Sequence, residues 1–570
     1  MNSSLRPSII VTHQASPLSK FRTFATTVDH LARPERFTFP YYYSPHPLAV
    51  IAMQELQEYL KSQSDLKNMS RMFAVLVVEN AQGSLGYLCS FSEDGTTAEV
   101  SNSVTEFFVD PIVNPQDRIA QFGELENQIE QLAQEVEQQL NASDLIQLKQ
   151  RMANGAEQFE QKIAQFQKEI ALNKKQRKQQ RQQAESEVGK SIDEEQLAAI
   201  IRDLGNKSSA EKRQLKALKQ DWQRTREALD KALQSKQHSI ELLQKRYRKL
   251  ADTLLLETRS ACQFLNREGK SKSLLALFPD TGKKQPIAFA SEQNLPKLLQ
   301  AAFKMSLTPI ALGEFWWGDS PYQQIRQHKN LYPVCQSKCF EILEHMLEGI
   351  ELDESPLEQT PSYNKELEIV YQDDALVVVN KPAEFLSVSG KYIQDSVEAR
   401  IRAKYPDAEG PLIVHRLDMS TSGLLVLTLT SEANKRVQQQ FIERSVVKRY
   451  TALLEGSIEQ EQGVIALPLT GDIEDRPRQR VCHDKGRSAE TSYQVIEVNN
   501  NRTTVHLYPK TGRTHQLRVH CAHQAGLNTP IVGDDLYGFK ESRLHLHAGF
   551  LKLRHPVTDQ IIEFEVPADF

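Results

Sequence analysis

Between Gln116 and Phe278 the chain contains no proline, and the stretch is rich in Gln, Lys, Glu and Leu. Proline disrupts helix interiors, whereas these four residues favour helices. Apolar residues recur along the stretch at steps of three and four: Leu125, Ile129, Leu132, Val136, then Phe159, Ile163, Phe166, Ile170, and later Ile240, Leu243, Tyr247, Leu250, Leu254. Such spacing buries one seam of a helix against a partner helix. The sequence therefore predicts a coiled coil over residues 116–260.

The helical pattern fails near Gly189 and again near Gly205, where Ser208 and Glu211 have the spacing of a capping box that starts a new helix. An antiparallel hairpin within one chain is the preferred interpretation, and a parallel dimer is the alternative. A basic cluster, KKQRKQQR, occupies residues 174–181. It has the charge to meet phosphates, but we favour a solvated helix face.

Length and composition limit the remaining possibilities. A chain of 570 residues predicts three to four domains. The formal net charge of -5 shows no overall basic excess, so any contact with RNA must come from local patches. The six cysteines are scattered, which is typical of reduced thiols in a cytoplasmic protein. Cys335 and Cys339 have no second Cys/His pair close behind them, so a structural role is favoured and no metal site is predicted.

Neither a membrane span nor a secretory signal is predicted, because no apolar run has the required length and position. Residues 1–34 are expected to form an irregular arm. The first 28 residues contain basic and hydroxyl side chains without an acid, which keeps an organellar transit peptide as a minor alternative to a cytoplasmic location.

Two shorter segments flank the helical stretch. In residues 35–115, a helical pattern over 48–60 is followed by two apolar runs joined by NAQG, which predicts a helix, a β-hairpin and a small α+β domain. Residues 261–361 contain the sequence FWWG and end in a linker rich in Glu and Pro. Paired Trp residues are usually core or interface anchors, so this segment is predicted to be a small accessory domain.

The sequence HRLDMSTSGLLV begins at His415 and leads from one apolar run, which ends at Val414, into another that starts at Leu424. Asp418 is thereby placed in a turn between two predicted buried segments. Burying a carboxylate without a partner is costly. On residue types alone, a structural Asp that caps the turn and a functional carboxylate are equally favoured.

This string closely resembles the signature of the RluA family of pseudouridine synthases, whose Asp at this place is catalytic. The resemblance continues through LVVVNKP, KRY, DRPRQ, TGRTHQLRVH and the final PADF, and so covers residues 362–570. It is strongest to the branch that modifies a tRNA anticodon stem-loop and a 23S rRNA hairpin. The implied fold is α+β, with a mixed, mostly antiparallel sheet that carries the RNA cleft, preceded here by the helical hairpin and the small α+β domains.

The resemblance also implies roles for individual residues, in a reaction that uses neither metal nor cofactor. Asp418 would attack C1′ of the uridine or remove its C2′ proton, and both routes stay open. Arg513 is the candidate cation beside Asp418, although a phosphate-binding arginine is equally favoured on residue type alone. Arg416 would fill the gap left by the flipped base, Tyr450 would stack on the uracil, and Leu517 would pack under the ring.

The densest basic set in this domain is expected to contact phosphates, and it consists of Lys448, Arg476, Arg478, Arg480, Lys485 and Arg487. His415 and His515 are expected to be hydrogen-bonded structural residues rather than bases. The predicted activity is RNA pseudouridine synthase, with tRNA and/or rRNA as partner. The alternative is a non-catalytic RNA-binding or ribosome-assembly factor that uses the coiled coil to engage the ribosome or a protein. The oligomeric state stays open.

Overall fold

The computed structural model describes residues 20–67, 69–92, 106–187, 191–278, 293–334, 339–356, 361–390, 393–473 and 475–570. Residues 1–19 of the expected N-terminal arm and Cys335 lie outside this part of the chain. The described residues form two compact units, one within Pro115–Thr258 and the other within Met1–Asn114 and Arg259–Phe570. None of the described helices combines the length and apolarity needed to cross a membrane.

The described helices are α1 (Pro47–Ser62), α2 (Ser64–Lys67), α3 (Pro115–Leu140), α4 (Ser143–Glu187), α5 (Glu194–Ala261), α6 (Leu274–Leu277), α7 (Asn294–Lys304), α8 (Phe340–Met346), α9 (Val397–Lys404), α10 (Ser431–Glu443) and α11 (Gln516–Ala522). The described strands are β1 (Arg71–Glu79), β2 (Leu85–Phe91), β3 (Gln263–Leu265), β4 (Ser271–Ser273), β5 (Thr308–Trp317), β6 (Glu368–Gln372), β7 (Leu376–Lys381), β8 (Ser422–Thr428), β9 (Val447–Leu454), β10 (Gln462–Ile465), β11 (Leu469–Gly471), β12 (Gln479–Val481), β13 (Thr491–Asn499), β14 (Arg502–Pro509), β15 (Leu546–Arg554) and β16 (Ile561–Glu565).

The helical unit is an antiparallel hairpin of α4 and α5. Near its middle the Phe159 ring stacks on Trp222 with centroids 5.5 Å apart. Farther along α4, Arg177 pairs with Glu211, which precedes Trp222 in α5. Because partners later in α4 lie earlier in α5, the two helices run in opposite directions. The predicted hairpin within one chain is confirmed.

The predicted start of a new helix at Ser208 is wrong, because α5 is continuous through this point. The Glu211 side chain accepts hydrogen bonds from the two terminal guanidinium nitrogens of Arg177 at 2.7 and 2.8 Å instead of capping its own helix. The capping box lies earlier. Asp193 Oδ1 accepts from Gln196 N at 2.8 Å, and Asp193 N donates to Gln196 Oε1 at 3.1 Å.

The part of the larger unit outside residues 362–570 is called the accessory part. Its described residues contain a three-stranded antiparallel sheet with the order β2-β1-β5. The pairing of β1 with β2 confirms the predicted hairpin. The segments predicted as separate small domains, 35–115 and 261–361, both supply strands to this sheet. The central strand β1 is buried, and its backbone groups need partners on both edges. Helix α1 covers one face and α7 the other.

Residues 362–570, predicted from the sequence to be catalytic and called the catalytic region below, contain a nine-stranded sheet among their described residues. Its order is β10-β13-β14-β9-β15-β8-β7-β6, with β16 paired to β15. Its β8 and β15 are parallel, and its other described pairs are antiparallel. The predicted α+β class with a mixed, mostly antiparallel sheet is confirmed. Every residue of β8 is buried, which explains the unbroken apolar run after the HRLD sequence.

Candidate active site

Asp418 lies in the turn that precedes β8, and neighbouring hydrogen bonds fix the backbone of this turn. The Ser387 hydroxyl donates to the carbonyl of Leu417 at 2.7 Å and accepts from its amide at 3.1 Å. The carbonyl of Asp418 accepts from Thr421 N at 3.1 Å. The Asp418 side chain is half-buried, so its carboxylate is presented from a rigid turn without being sealed from the surface.

Gly423 is needed where the turn enters β8. Its φ is +112°, and a Cβ atom there would lie 2.4 Å from the carbonyl oxygen of Ala548 on the parallel strand β15. An L side chain would be strained by that φ and would collide with the neighbouring backbone. The glycine of the HRLD sequence therefore permits the close approach of β15, which anchors the strand that follows Asp418.

Lys381, at the end of β7, is completely buried beneath the turn. Its Nζ donates to the carbonyls of Pro382, Phe385 and Met419 at 3.0, 2.8 and 3.0 Å. Burial lowers the pKa of Lys381 to about 7, and the negative charges of Glu384 and Asp418 act in the opposite direction. A role for Lys381 was not predicted from the sequence. Its signal was a lone Lys at the end of the apolar run LVVVNK.

Arg513, the cation predicted to pair with Asp418, does not form that pair in the structure. Arg513 lines the same cavity as Asp418, but its Nε donates to the carbonyl of Ser488 at 3.1 Å. No ion pair joins the two side chains within the described structure. Arg513 lies in the loop before α11, and its guanidinium is directed towards the backbone near β13 rather than towards the turn.

Arg518, five residues later and inside α11, is the buried cation beside the site. Its Nε donates to Asp534 Oδ2 at 2.9 Å, and one terminal nitrogen contacts Asp534 and Asp535 at 2.5 and 2.9 Å. Burial disfavours the charge of this guanidinium, but the carboxylates of Asp534, Asp535 and Asp418 raise the pKa of Arg518 above its ordinary value. Its positive charge is therefore permanent, and Asp418 is close enough to interact with it.

A cavity of about 680 Å³ opens beside Asp418, within the size range of ligand-binding pockets. Tyr450 from β9 and Leu517 from α11 contribute to its wall, and Leu517 is only 7% exposed. Burial and the charge of Asp418 both raise the pKa of Tyr450, so its hydroxyl stays protonated. Arg416 also lines this cavity and is exposed. The structure thus brings the predicted Asp, Tyr, Leu and exposed Arg together around one space.

The two histidines occupy structural positions. His415 Nε2 accepts from Val426 N at 3.1 Å, and its ring stacks on Phe441. Burial, with a smaller effect of the Lys448 charge, lowers the pKa of His415 to about 3, so this ring is a neutral acceptor. His515 Nδ1 lies 2.9 Å from the hydroxyl of Tyr537 at the start of α11. Both placements agree with the hydrogen-bonded roles expected from sequence.

Five of the six predicted phosphate contacts reach the cavity or the surface. Lys448 lines the cavity, Arg480 is half-buried, and the other three are exposed, namely Arg476, Lys485 and Arg487. Arg478 is the exception, since it is 5% exposed. It binds both carboxylate oxygens of Asp475 at 3.0 Å and the carbonyl of Leu536 at 2.9 Å. Arg478 holds the loop together rather than facing solvent.

Comparison with known proteins places this site in a described family. Residues 375–523 match the family model described as RNA pseudouridylate synthase. The protein of Pasteurella multocida (strain Pm70) named dual-specificity RNA pseudouridine synthase RluA is 43% identical over 219 residues, which cover 37% of this chain and 97% of that protein. The protein of the same name from Escherichia coli (strain K12) is 44% identical over 212 residues, with 36% and 94% covered.

Among solved structures, human RNA Pseudouridylate Synthase Domain Containing 1 is 31% identical, with a TM-score of 0.32, over 37% of this chain and 87% of that chain. The two bacterial sequences are thus matched over almost their whole length by little more than a third of this chain.

Proposed function

This chain belongs to the RluA family of RNA pseudouridine synthases, and on that basis we propose that it isomerises specific uridines in a tRNA anticodon stem-loop, in a 23S rRNA hairpin, or in both. RNA pseudouridine synthase activity, an isomerisation, is what the family membership establishes, and the choice of RNA is the proposal. The bacterial relatives are named dual-specificity enzymes, which supports more than one RNA as substrate.

Asp418 is the proposed catalytic residue. An ionised carboxylate beside the ribose either attacks C1′ or removes the C2′ proton, and each route breaks the bond between N1 and C1′. The uracil then turns over and its C5 bonds to C1′, as the bond from the carboxylate to C1′ breaks on the first route or as the proton returns to C2′ on the second. Loss of the C5 proton, with N1 gaining a proton, completes the product. The convergence of Asp418, Tyr450 and Arg518 on one cavity of this domain carries the proposal.

Access to C1′ requires the target nucleotide to leave its stack, at a cost of a few kcal/mol that is smallest in a loop. Arg416 is exposed where it lines the cavity, and its planar guanidinium is suited to stack where the flipped base had been. We assign Tyr450 to stacking on the uracil and Leu517 to the apolar floor, because both side chains line the same space.

Phosphate binding is assigned to the accessible members of the basic set. Lys448 is proposed for a phosphate beside the flipped nucleotide, since it lines the cavity. The exposed set for the flanking backbone consists of Arg476, Lys485 and Arg487, with Arg480 beside them. The chain as a whole is acidic, with a formal charge of -5. Binding must therefore rely on this local patch and weaken as salt rises.

Release of tritium from RNA that carries 5-tritiated uridine tests the proposal, because the C5 proton is lost as the new bond forms. The full chain is incubated separately with the tRNA anticodon stem-loop and the 23S rRNA hairpin, and the modified position is then mapped. Release from either RNA at one mapped uridine is the expected result. Binding of both RNAs without release from either would contradict the proposed substrates.

A further inference from the structure

A segment of the accessory part reaches into the catalytic region. Residues 319–332, termed the bridging segment, follow β5 and carry Ile325, which is 5% exposed. Ile325 packs in the same hydrophobic cluster as Leu454 of β9 and Leu517 of α11. The catalytic core therefore includes a side chain from outside the catalytic region. The stretch that matches the synthase family begins later, at residue 375.

The bridging segment holds the basic loop, defined as residues 475–480, through an ion pair. Arg326 contacts Asp475 Oδ2 at 2.6 Å, and the two side chains are 10% and 17% exposed. Asp475 is also bound by Arg478 from within the loop. Both guanidiniums also lie near the Tyr332 ring, that of Arg326 at 4.8 Å and that of Arg478 at 4.9 Å from its centroid. One carboxylate and one ring thus join the two regions.

A second set of contacts connects the bridging segment to the active site. Gln327 Nε2 donates to the carbonyl of Tyr537 at 3.1 Å, and Asn330 donates to the next carbonyl, of Gly538, at 2.5 Å. The Tyr537 hydroxyl accepts from Gln479 N in the basic loop at 2.7 Å. The same hydroxyl lies beside His515, which precedes α11. The basic loop is consequently held from the bridging segment on one side and from Tyr537 on the other.

We propose that the bridging segment is a positioning element for RNA binding, with Arg326 as its principal residue. It fixes the basic loop, including Arg476 and Arg480, in its binding arrangement before RNA arrives. A loop that is already ordered before binding loses less conformational entropy when RNA binds, so the free-energy cost of binding is smaller. The proposal rests on the proposed function, since it takes RNA to be what the basic loop binds. Arg326 is not among the described residues that line the cavity, so its effect falls on binding rather than on bond breaking.

Steady-state kinetics of Arg326→Gln measure this role. Asp475 keeps Arg478 as a partner in this variant, so the fold is expected to persist while the loop loses its tether. KM for the RNA should rise by about five- to tenfold with kcat within about twofold of wild type, the pattern of a loss of binding alone. Arg326→Lys should recover part of the loss, because it restores the charge but not the planar stacking. Gln323→Ala is the control, an exposed side chain of the same segment.

Hydrogen exchange supplies the readout that distinguishes positioning from general stability. In Arg326→Gln, amides of the basic loop should exchange faster without RNA and return to the wild-type rate in the RNA complex. A wild-type KM in that variant, or a fall in kcat that accompanies a lowered Tm, would overturn the positioning role. If the wild-type chain itself releases no tritium, the proposed function fails as well. If wild type and Gln323→Ala turn over normally and Arg326→Gln keeps its KM, the positioning role fails alone.

Discussion

Two arginine–carboxylate groups, one in each unit, use the same chemistry in different surroundings. In the helical hairpin, the Arg177 and Glu211 side chains are 14% and 15% exposed and join two helices. In the catalytic region, the Arg518 and Asp534 side chains are 4% and 0% exposed, and a second carboxylate, Asp535, completes the group. Water screens the first pair and is excluded from the second.

The difference shows that the setting, rather than the hydrogen-bond geometry, determines what such a pair does. Arg177 fixes the register of two helices at a site where solvent can replace it. Arg518 is a permanent charge in the wall of the cavity beside Asp418, where its field reaches that carboxylate. Removing one partner of a buried pair leaves an uncompensated charge, so the two groups should respond very differently to the same substitution.

The largest effect is expected for Arg518→Met. Asp534 would remain buried without its cation, which should lower the free energy of unfolding by about 3–5 kcal/mol. Tritium release should fall by at least about 100-fold, because the cavity loses its fixed positive charge. Urea unfolding and single-turnover release measure the two effects. The matched double variant Arg518→Met/Asp534→Asn should regain part of the stability but no activity. Recovery of release in the double variant would show that Arg518 serves the fold alone.

An intermediate effect on the free energy of unfolding is expected when the pH is lowered, because His415 is neutral in the folded chain. Its folded pKa is about 3, whereas an unfolded His titrates near about 6.5. Between these values the unfolded chain binds a proton that the folded chain excludes, so stability from this residue is present at neutral pH and is lost as pH falls. The loss between pH 7 and pH 4.5 should be about 2 kcal/mol.

His415→Gln retains an acceptor for Val426 N without titrating, so the variant should lose less stability in acid than wild type in urea unfolding at the two pH values. His238→Gln, at an exposed position of the hairpin, is the control and should leave the wild-type acid loss unchanged. Equal acid losses for wild type and His415→Gln would rule out a buried neutral ring.

The smallest effect is expected for Arg177→Met in the hairpin. Solvent and the remaining apolar seam compensate for the lost pair, so the Tm should fall by no more than about 2 °C. Tritium release should stay at the wild-type level. Differential scanning calorimetry and the release assay measure both quantities, with Arg181→Met, an exposed pair on α4, as the control. A loss of release in Arg177→Met alone would show that the hairpin register acts on catalysis and that the contrast between the two groups is wrong.

The parts of the fold that could be predicted are those set by residues close together in the sequence. The period of the apolar residues predicted the helices, and the absence of proline predicted their length. The HRLD sequence predicted a turn between buried strands, since its flanking apolar runs and Gly423 act over a few residues. The break near Gly189 favoured an antiparallel hairpin but left a parallel dimer open, and contacts between α4 and α5 decide between them.

The rest depended on contacts between distant residues. Strand β1 pairs along one edge with β5, which lies more than two hundred residues later in the sequence. No local sequence pattern predicts that pairing. Arg513 and Arg518 belong to one motif and have the same chemistry. Only the start of α11 after His515 decides which guanidinium is directed into the core. Arg478 likewise belongs to a basic sequence, yet its buried partner Asp475 makes it structural.

Asp418 is the residue on which the proposed reaction depends most, and replacing its carboxylate by an amide tests that role directly. Tritium release and RNA binding are measured for wild type and for Asp418→Asn, a substitution that preserves size and removes the charge. We expect binding within about threefold of wild type and release reduced by at least about 10,000-fold, because no other carboxylate lines the cavity within the described residues. Release at the wild-type rate from Asp418→Asn would contradict the assignment of this carboxylate as the catalytic group.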